Sequence, residues 1–235
     1  MARMLTFLPG TVCDHRVWAG VRACLEPRLS TAYLPIESQA TREGMLALLA
    51  SAAEPAPLHL VAFSMGGYLA LDFALEYPDR VASLVTVASS AFGLTDAEKA
   101  ERGRALELLA KHDYRGMSTS RLQQFVHPSS WTNPEVVDVI RAMDRDLGKE
   151  TLVAQLKETS ARDSLGPQLW QLQIDVLLIG GDTDPFVPWS EIEEMTRLIP
   201  HAHSVLAKDA GHMLPLEQPD WLAAQITRCH GGATD

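Results

Sequence analysis

Leu60-Val61-Ala62-Phe63-Ser64-Met65-Gly66-Gly67 is an apolar run that ends in a small residue, a serine and two glycines, and a helix-forming stretch over 68–75 follows it. A buried strand that turns at once into a helix leaves almost no room at the turn. The positions two before and two after the serine must be nearly free of side chain, or strand and helix collide; Ala62 and Gly66 meet that condition. The serine hydroxyl is then presented at the carboxyl edge of a sheet, on a strained backbone. The Met65 amide opens the helix and points where a developing oxyanion would need a donor. An ordinary strand-to-helix turn can carry the same letters, so the rest of the chain has to decide.

Two further segments bear on the decision. Leu177-Leu178-Ile179-Gly180-Gly181-Asp182-Thr183-Asp184-Pro185 reads as a buried strand ending in a turn with two carboxylates, and Val205-Leu206-Ala207-Lys208-Asp209-Ala210-Gly211-His212 as a strand ending in a loop that presents a histidine. Serine, then aspartate, then histidine, each at the carboxyl end of its own strand, would converge above one sheet edge. A hydroxyl is inert at its free pKa; it needs a base within hydrogen-bond reach and a third group to fix the tautomer of that base. Ser64, His212 and Asp184 supply these parts, with Asp182 as the alternative acid. His15, His201 and His203 read as surface or loop residues. Near the start, Phe7-Leu8-Pro9-Gly10-Thr11-Val12 leads out of a first strand, and the Thr11 amide, or else that of Val12, is the candidate second donor opposite Met65.

Short apolar runs bounded by turn signals predict strands near 4–8, 30–36, 58–63, 83–88, 176–179 and 204–207. Helical spacing lies between most of them, at 41–53, 66–77, 189–198 and 219–228. Alternation of this kind implies a mainly parallel sheet covered on both faces, an α/β fold. The rhythm breaks between residues 92 and 169. There several helices are expected, with stops near Gly116, His127-Pro128, Gly148 and Gly166-Pro167. The expected organisation is a core of residues 1–91 and 170–235 with a helical lid at 92–169; a few extra helices packed on the sheet edge are the plainer alternative. Phe92, Phe125, Trp131, Met143 and Leu147 are candidates for an apolar ceiling over the site, or else for the lid's own core. Arg162 beside Asp163 reads as a surface ion pair, with carboxylate recognition as the alternative.

Composition narrows the class. A formal net charge of -10 provides no basic face to neutralise phosphates or an anionic membrane, so neither nucleic acid nor membrane is an expected partner; a small molecule is. Cys13, Cys24 and Cys229 lack CxxC spacing and read as reduced thiols of a cytoplasmic protein. The first ten residues are too short an apolar run for an export signal, and the apolar stretch 58–75 is interrupted by His59, Ser64 and Asp72, which argues against a membrane span.

With these segments in hand, the chain resembles the α/β-hydrolase superfamily from Leu5 to about Ile226, and within it the small bacterial members with a Phe-Ser-Met-Gly-Gly elbow. The stretches carrying the likeness are AFSMGGYLALDFALEYPDRVASLV, GGDTDPFVP and AGHMLPLEQP. The resemblance favours Asp184 over Asp182, because the family's acid usually stands four residues before the proline that is Pro188 here. Pro9-Gly10 replaces the family's usual His-Gly, and Ala62 its first elbow glycine. Two strands that often open such chains have no counterpart, which implies a core of about six strands. The resemblance implies cleavage of a small carboxylic ester, lactone or thioester through an acyl-enzyme on Ser64, without cofactor or metal. Two alternatives stand beside it: a lyase or carbon-carbon bond hydrolase using the same triad to move protons, and a non-catalytic binding module on the same scaffold.

Overall fold

Each expected apolar run becomes a strand in the computed structural model, which describes residues 4–26 and 28–230; residues 1–3, 27 and 231–235 of the expected core lie outside the described residues. The strands are β1 (Met4–Leu8), β2 (Ser30–Tyr33), β3 (Leu58–Phe63), β4 (Val81–Val87), β5 (Asp175–Gly181) and β6 (Ala202–Ala207). They form one sheet in the order β2-β1-β3-β4-β5-β6, and every neighbouring pair is parallel. β2 stops short of its expected end. Leu34 still donates to the Phe7 carbonyl, but Pro35 has no N–H to continue the ladder, and a short 3-10 turn follows.

In a parallel sheet all carboxyl ends lie on one side, so the loops after β1, β3, β5 and β6 share an edge. The strand order reverses between β1 and β3, where a crevice opens beyond the strand ends. The loop at Thr11 and the turn at Ser64 therefore face each other across that switch point.

Alternation along the strands splits the core into two apolar clusters. On one face Phe7, Val61, Phe63, Val85, Val87, Leu177 and Ile179 pack with α1 (Ala19–Leu25) and α9 (Pro219–His230). On the other, Leu60, Ala62, Leu84, Val176 and Leu178 pack with α2 (Arg42–Ala52), α3 (Met65–Glu76) and α7 (Trp189–Leu198). A short helix, α8 (Leu214–Glu217), precedes α9.

Between β4 and β5 the chain forms α4 (Asp96–Lys111), α5 (Thr119–Phe125) and α6 (Pro134–Ser160). A capping box starts α4: Thr95 and Glu98 satisfy each other's backbone N–H groups. Gly116 turns the chain at φ 89°. The stop expected at Gly148 is instead a break inside α6, where this residue adopts φ 73° and ψ -173° and the helix resumes beyond it. Leu122 of α5 and Val136, Ile140 and Met143 of α6 join the first apolar cluster, so these helices pack onto the sheet side that carries Phe63. No helix of the described residues is long and apolar enough to cross a membrane.

Leu60 is fully buried whereas Leu108, on the outer side of α4, is 61% exposed. Leu60→Ala should cost about 2–5 kcal/mol of stability and Leu108→Ala less than about 0.5 kcal/mol, read as shifts of the urea midpoint.

Candidate active site

Ser64 occupies the turn between β3 and α3 at φ 50° and ψ -115°, a conformation that a residue with a side chain rarely adopts. Its neighbours hold it there. The Ser64 amide donates to the Val87 carbonyl at 2.9 Å, and its carbonyl accepts the Ser89 hydroxyl at 2.8 Å as well as the Gly67 amide at 2.9 Å. A Cβ on Gly66 would stand 2.4 Å from the Pro9 carbonyl oxygen, and one on Gly10 would stand 2.7 Å from the Phe63 ring. Only glycine at these two positions lets the first loop close against the serine turn.

His212 lies between the other two candidates. Its Nε2 is 2.9 Å from Ser64 Oγ, and its Nδ1 is 2.8 Å from Asp184 Oδ2. The second oxygen of Asp184 accepts the Phe186 and Val187 amides at 2.8 and 3.2 Å, which fixes the carboxylate in its turn. Both Asp184 and His212 are buried. Asp182 is turned elsewhere: Oδ1 accepts the Ala210 amide at 3.3 Å, and Oδ2 is 3.8 Å from Lys208 Nζ. It braces the loop that carries the histidine rather than the histidine itself.

Three rings enclose the imidazole. Phe63, Phe186 and Phe125 have centroids 5.3, 5.3 and 5.8 Å from it, and Phe125 stacks on Phe186 at 4.6 Å. Phe125 comes from α5, so the helices between β4 and β5 reach the site. Of the other candidates in that interval, Trp131 is 42% exposed, its indole donating to the Gln123 carbonyl on the outer side. Met143 is buried with its sulfur accepting the Asp14 amide, Phe92 packs against the apolar cluster around α3 and α7, and Leu147 is half-buried on α6. The structure brings Phe125 to the imidazole and does not bring Trp131 there. Arg162 departs from its surface-pair reading: Asp163 is exposed and not paired with it, whereas the Arg162 guanidinium lies over the Tyr68 ring at 5.0 Å. Pairing with Asp163 would have drawn this side chain outward, and packing on the aromatic face prevails.

The sequence from 51 to 219 matches the family model described as the alpha/beta hydrolase fold. The chain belongs to the α/β-hydrolase fold family. Among its relatives, lipase 1 of Psychrobacter immobilis is 28% identical over 78% of this chain, which spans 58% of that lipase. The pimeloyl-[acyl-carrier protein] methyl ester esterase of Aeromonas salmonicida is 28% identical over 92% of this chain and 90% of its own. Among solved structures, a thermophilic esterase from Thermogutta terrifontis, with malate bound, superposes with a TM-score of 0.86 at 25% identity, covering 97% of this chain and 89% of the esterase.

Two residues of this hydrolase-fold site escape sequence reasoning. Glu217, on α8, accepts the Gly211 amide at 3.0 Å with one oxygen and the His127 amide at 2.7 Å with the other, tying the histidine loop to the end of α5. Burial raises its carboxyl pKa, and the two amides oppose that rise. Gln155, on α6, is fully buried, and its Oε1 accepts the Val12 amide at 2.8 Å. Val12 itself sits at φ 52°. The Val12 amide is thereby occupied, while no hydrogen bond among the described residues uses the Thr11 amide. The only sequence signal for either residue was a polar side chain at a core-facing helical position, which is common and unspecific.

Gln155→Met keeps the volume but leaves the Val12 N–H buried without an acceptor. The expected loss is about 1–3 kcal/mol of stability in urea unfolding.

Proposed function

We propose that this chain is a serine hydrolase that cleaves a carboxylic ester of a small molecule through an acyl-enzyme on Ser64. The observation that carries the reading is the continuous relay from Ser64 Oγ to His212 Nε2 at 2.9 Å and from His212 Nδ1 to Asp184 Oδ2 at 2.8 Å. The ester-cleaving names of its relatives support the same class, and the relay supplies the chemistry.

In this reading the serine hydroxyl donates to His212 as it attacks the ester carbonyl, and His212 later returns that proton to the departing alcohol. Asp184 accepts the Nδ1 hydrogen, keeps Nε2 free as the base, and stabilises the imidazolium. Negative charge on the former carbonyl oxygen is met by the amides of Met65 and Thr11. Met65 opens α3, so its N–H has no carbonyl behind it in the helix; the Thr11 amide is left available because Gln155 engages its neighbour. Water then attacks the acyl-serine by the same proton route. The helices α4 to α6 act as the lid over this centre, with Phe125 as the ring that touches the imidazole. Cys13 and Cys24 are free thiols, which supports a reducing compartment such as the cytoplasm.

Ser64→Ala should abolish both ester hydrolysis and labelling by a fluorophosphonate probe. Asp184→Asn should lower kcat by about 10⁴-fold through the wrong histidine tautomer. Asp182→Asn should lower it by less than about 10-fold, because that side chain braces a loop and does not touch the imidazole. Equal losses in the two aspartate variants would overturn the assignment of the acid.

A further inference from the structure

Arginines removed from water normally face a carboxylate, because each guanidinium carries five N–H groups and a charge. Two arginines between β4 and β5 do not. Arg102, on α4, donates through Nη1 to the Thr159 hydroxyl at 2.8 Å, and no carboxylate oxygen of the described residues lies within 4.0 Å of its guanidinium nitrogens. Arg162 lies over the Tyr68 ring, and its Nε is buried with no hydrogen-bond partner among the described residues. Thr159, which Arg102 grips, lies in the last turn of α6 three residues before Arg162, so the two cations come from adjoining positions. Burial, and after it the charge of Arg162, pull the Arg102 pKa down to about 10; burial lowers that of Arg162 as well. A guanidinium stays protonated in proteins, so the pair presents positive charge.

Two of the acids nearby are committed to other partners. Glu98 accepts the Thr95 amide and hydroxyl at 2.8 and 2.7 Å in the cap of α4, and Glu101 pairs with Arg121 at 3.4 Å. Two like charges held close with no carboxylate in direct contact cost stability in the empty molecule, and an anion placed between them would recover part of it.

The pair is also joined to the reaction centre from several sides. Thr159 stands one turn beyond Gln155, whose side chain grips Val12 in the loop opposite Ser64. Tyr68 stands one turn beyond Ser64 on α3. Arg121, paired with Glu101 beside Arg102, lies over the rings of Phe125 and Phe186, which pack on His212.

We propose that Arg102 and Arg162 form an anion subsite, and that the ester cleaved at Ser64 carries a carboxylate which these two guanidinium groups hold. The planar forks match a carboxylate's two oxygens. Glu98 and Glu191 in the surroundings of Arg162 keep the local excess of positive charge small, which suits a monoanionic group better than a phosphate dianion. This inference rests on the serine-hydrolase reading above.

The test compares a neutral ester, p-nitrophenyl butyrate, with two charged ones: mono-p-nitrophenyl glutarate, charged on the acyl side, and 4-acetoxybenzoate, charged on the leaving group. Wild-type enzyme should favour one charged ester over the neutral one. Arg102→Gln and Arg162→Gln should each raise KM for that ester by about 10-fold to 100-fold, the loss of a charged hydrogen bond, and leave kcat/KM for p-nitrophenyl butyrate within about 3-fold. Whichever charged ester responds shows the side on which the carboxylate lies. A second measurement needs no turnover and no altered protein: calorimetric titration of wild-type enzyme with glutarate should show binding that glutaramide lacks and that weakens as salt is added. Neutral and charged esters responding alike to both substitutions, or glutarate failing to bind, would overturn the subsite. Failure of the hydrolase reading looks different, since wild-type enzyme would then turn over none of the three esters and the fluorophosphonate probe would not mark Ser64.

Discussion

A serine backbone at φ 50° and ψ -115° lies outside the wells preferred by residues with a side chain, and strain of that kind costs about 1–3 kcal/mol. The surroundings of Ser64 are arranged so that it persists. β4 supplies the Val87 carbonyl and the Ser89 hydroxyl that fasten the serine's amide and carbonyl. Gly66 lets the end of β1 approach, and Gly10 lets the following loop lie against Phe63. Parallel pairing of β1, β3 and β4 brings these pieces to one edge. If that sheet order changed, the turn would relax and the hydroxyl would lose its place.

Around the turn, loops are held by polar side chains rather than by apolar packing alone. Asp182 pins Ala210, Glu217 joins Gly211 to His127, and Gln155 fixes Val12. Arg16 bridges Asp14 in the first loop, at 2.5 Å, to Asp146 on α6, at 2.7 Å. The bonds of Gln155 to Val12, Glu217 to His127 and Arg16 to Asp146 span elements that are distant in sequence. The helices between β4 and β5 are therefore coupled to both the histidine loop and the loop at Thr11, and movement of α6 would be felt at Val12.

Much of this was legible in the sequence because short-range physics determines it. The apolar runs gave the strands, and the tight spacing of Ala62, Ser64 and Gly66 gave the turn. Aspartate and histidine after β5 and β6 could only converge once the sheet was parallel. Turn chemistry alone left Asp182 beside Asp184, and the resemblance favoured Asp184; in the fold the two carboxylates point apart, Asp184 towards His212 and Asp182 towards Ala210. Gln155 and Glu217 were illegible for a different reason: a polar residue on a packed helix face has no local signature, and its partner lies 143 residues away in the case of Val12. Gly148 read as a helix end because glycine at positive φ usually terminates a helix, whereas packing on both sides lets α6 continue past it. Trp131 is an apolar residue of the helical interval and so a candidate for its ceiling or its core, but the turn before α6 carries it to the surface instead.

A triad that works through an acyl-enzyme requires Ser64 to be acylated during turnover. Enzyme quenched in acid while it hydrolyses p-nitrophenyl butyrate, then digested and mapped by mass spectrometry, should carry one butyryl group on the peptide containing Ser64, and that group should disappear when substrate is exhausted. Steady hydrolysis with no acylated peptide, or with the acyl group on another residue, would contradict it.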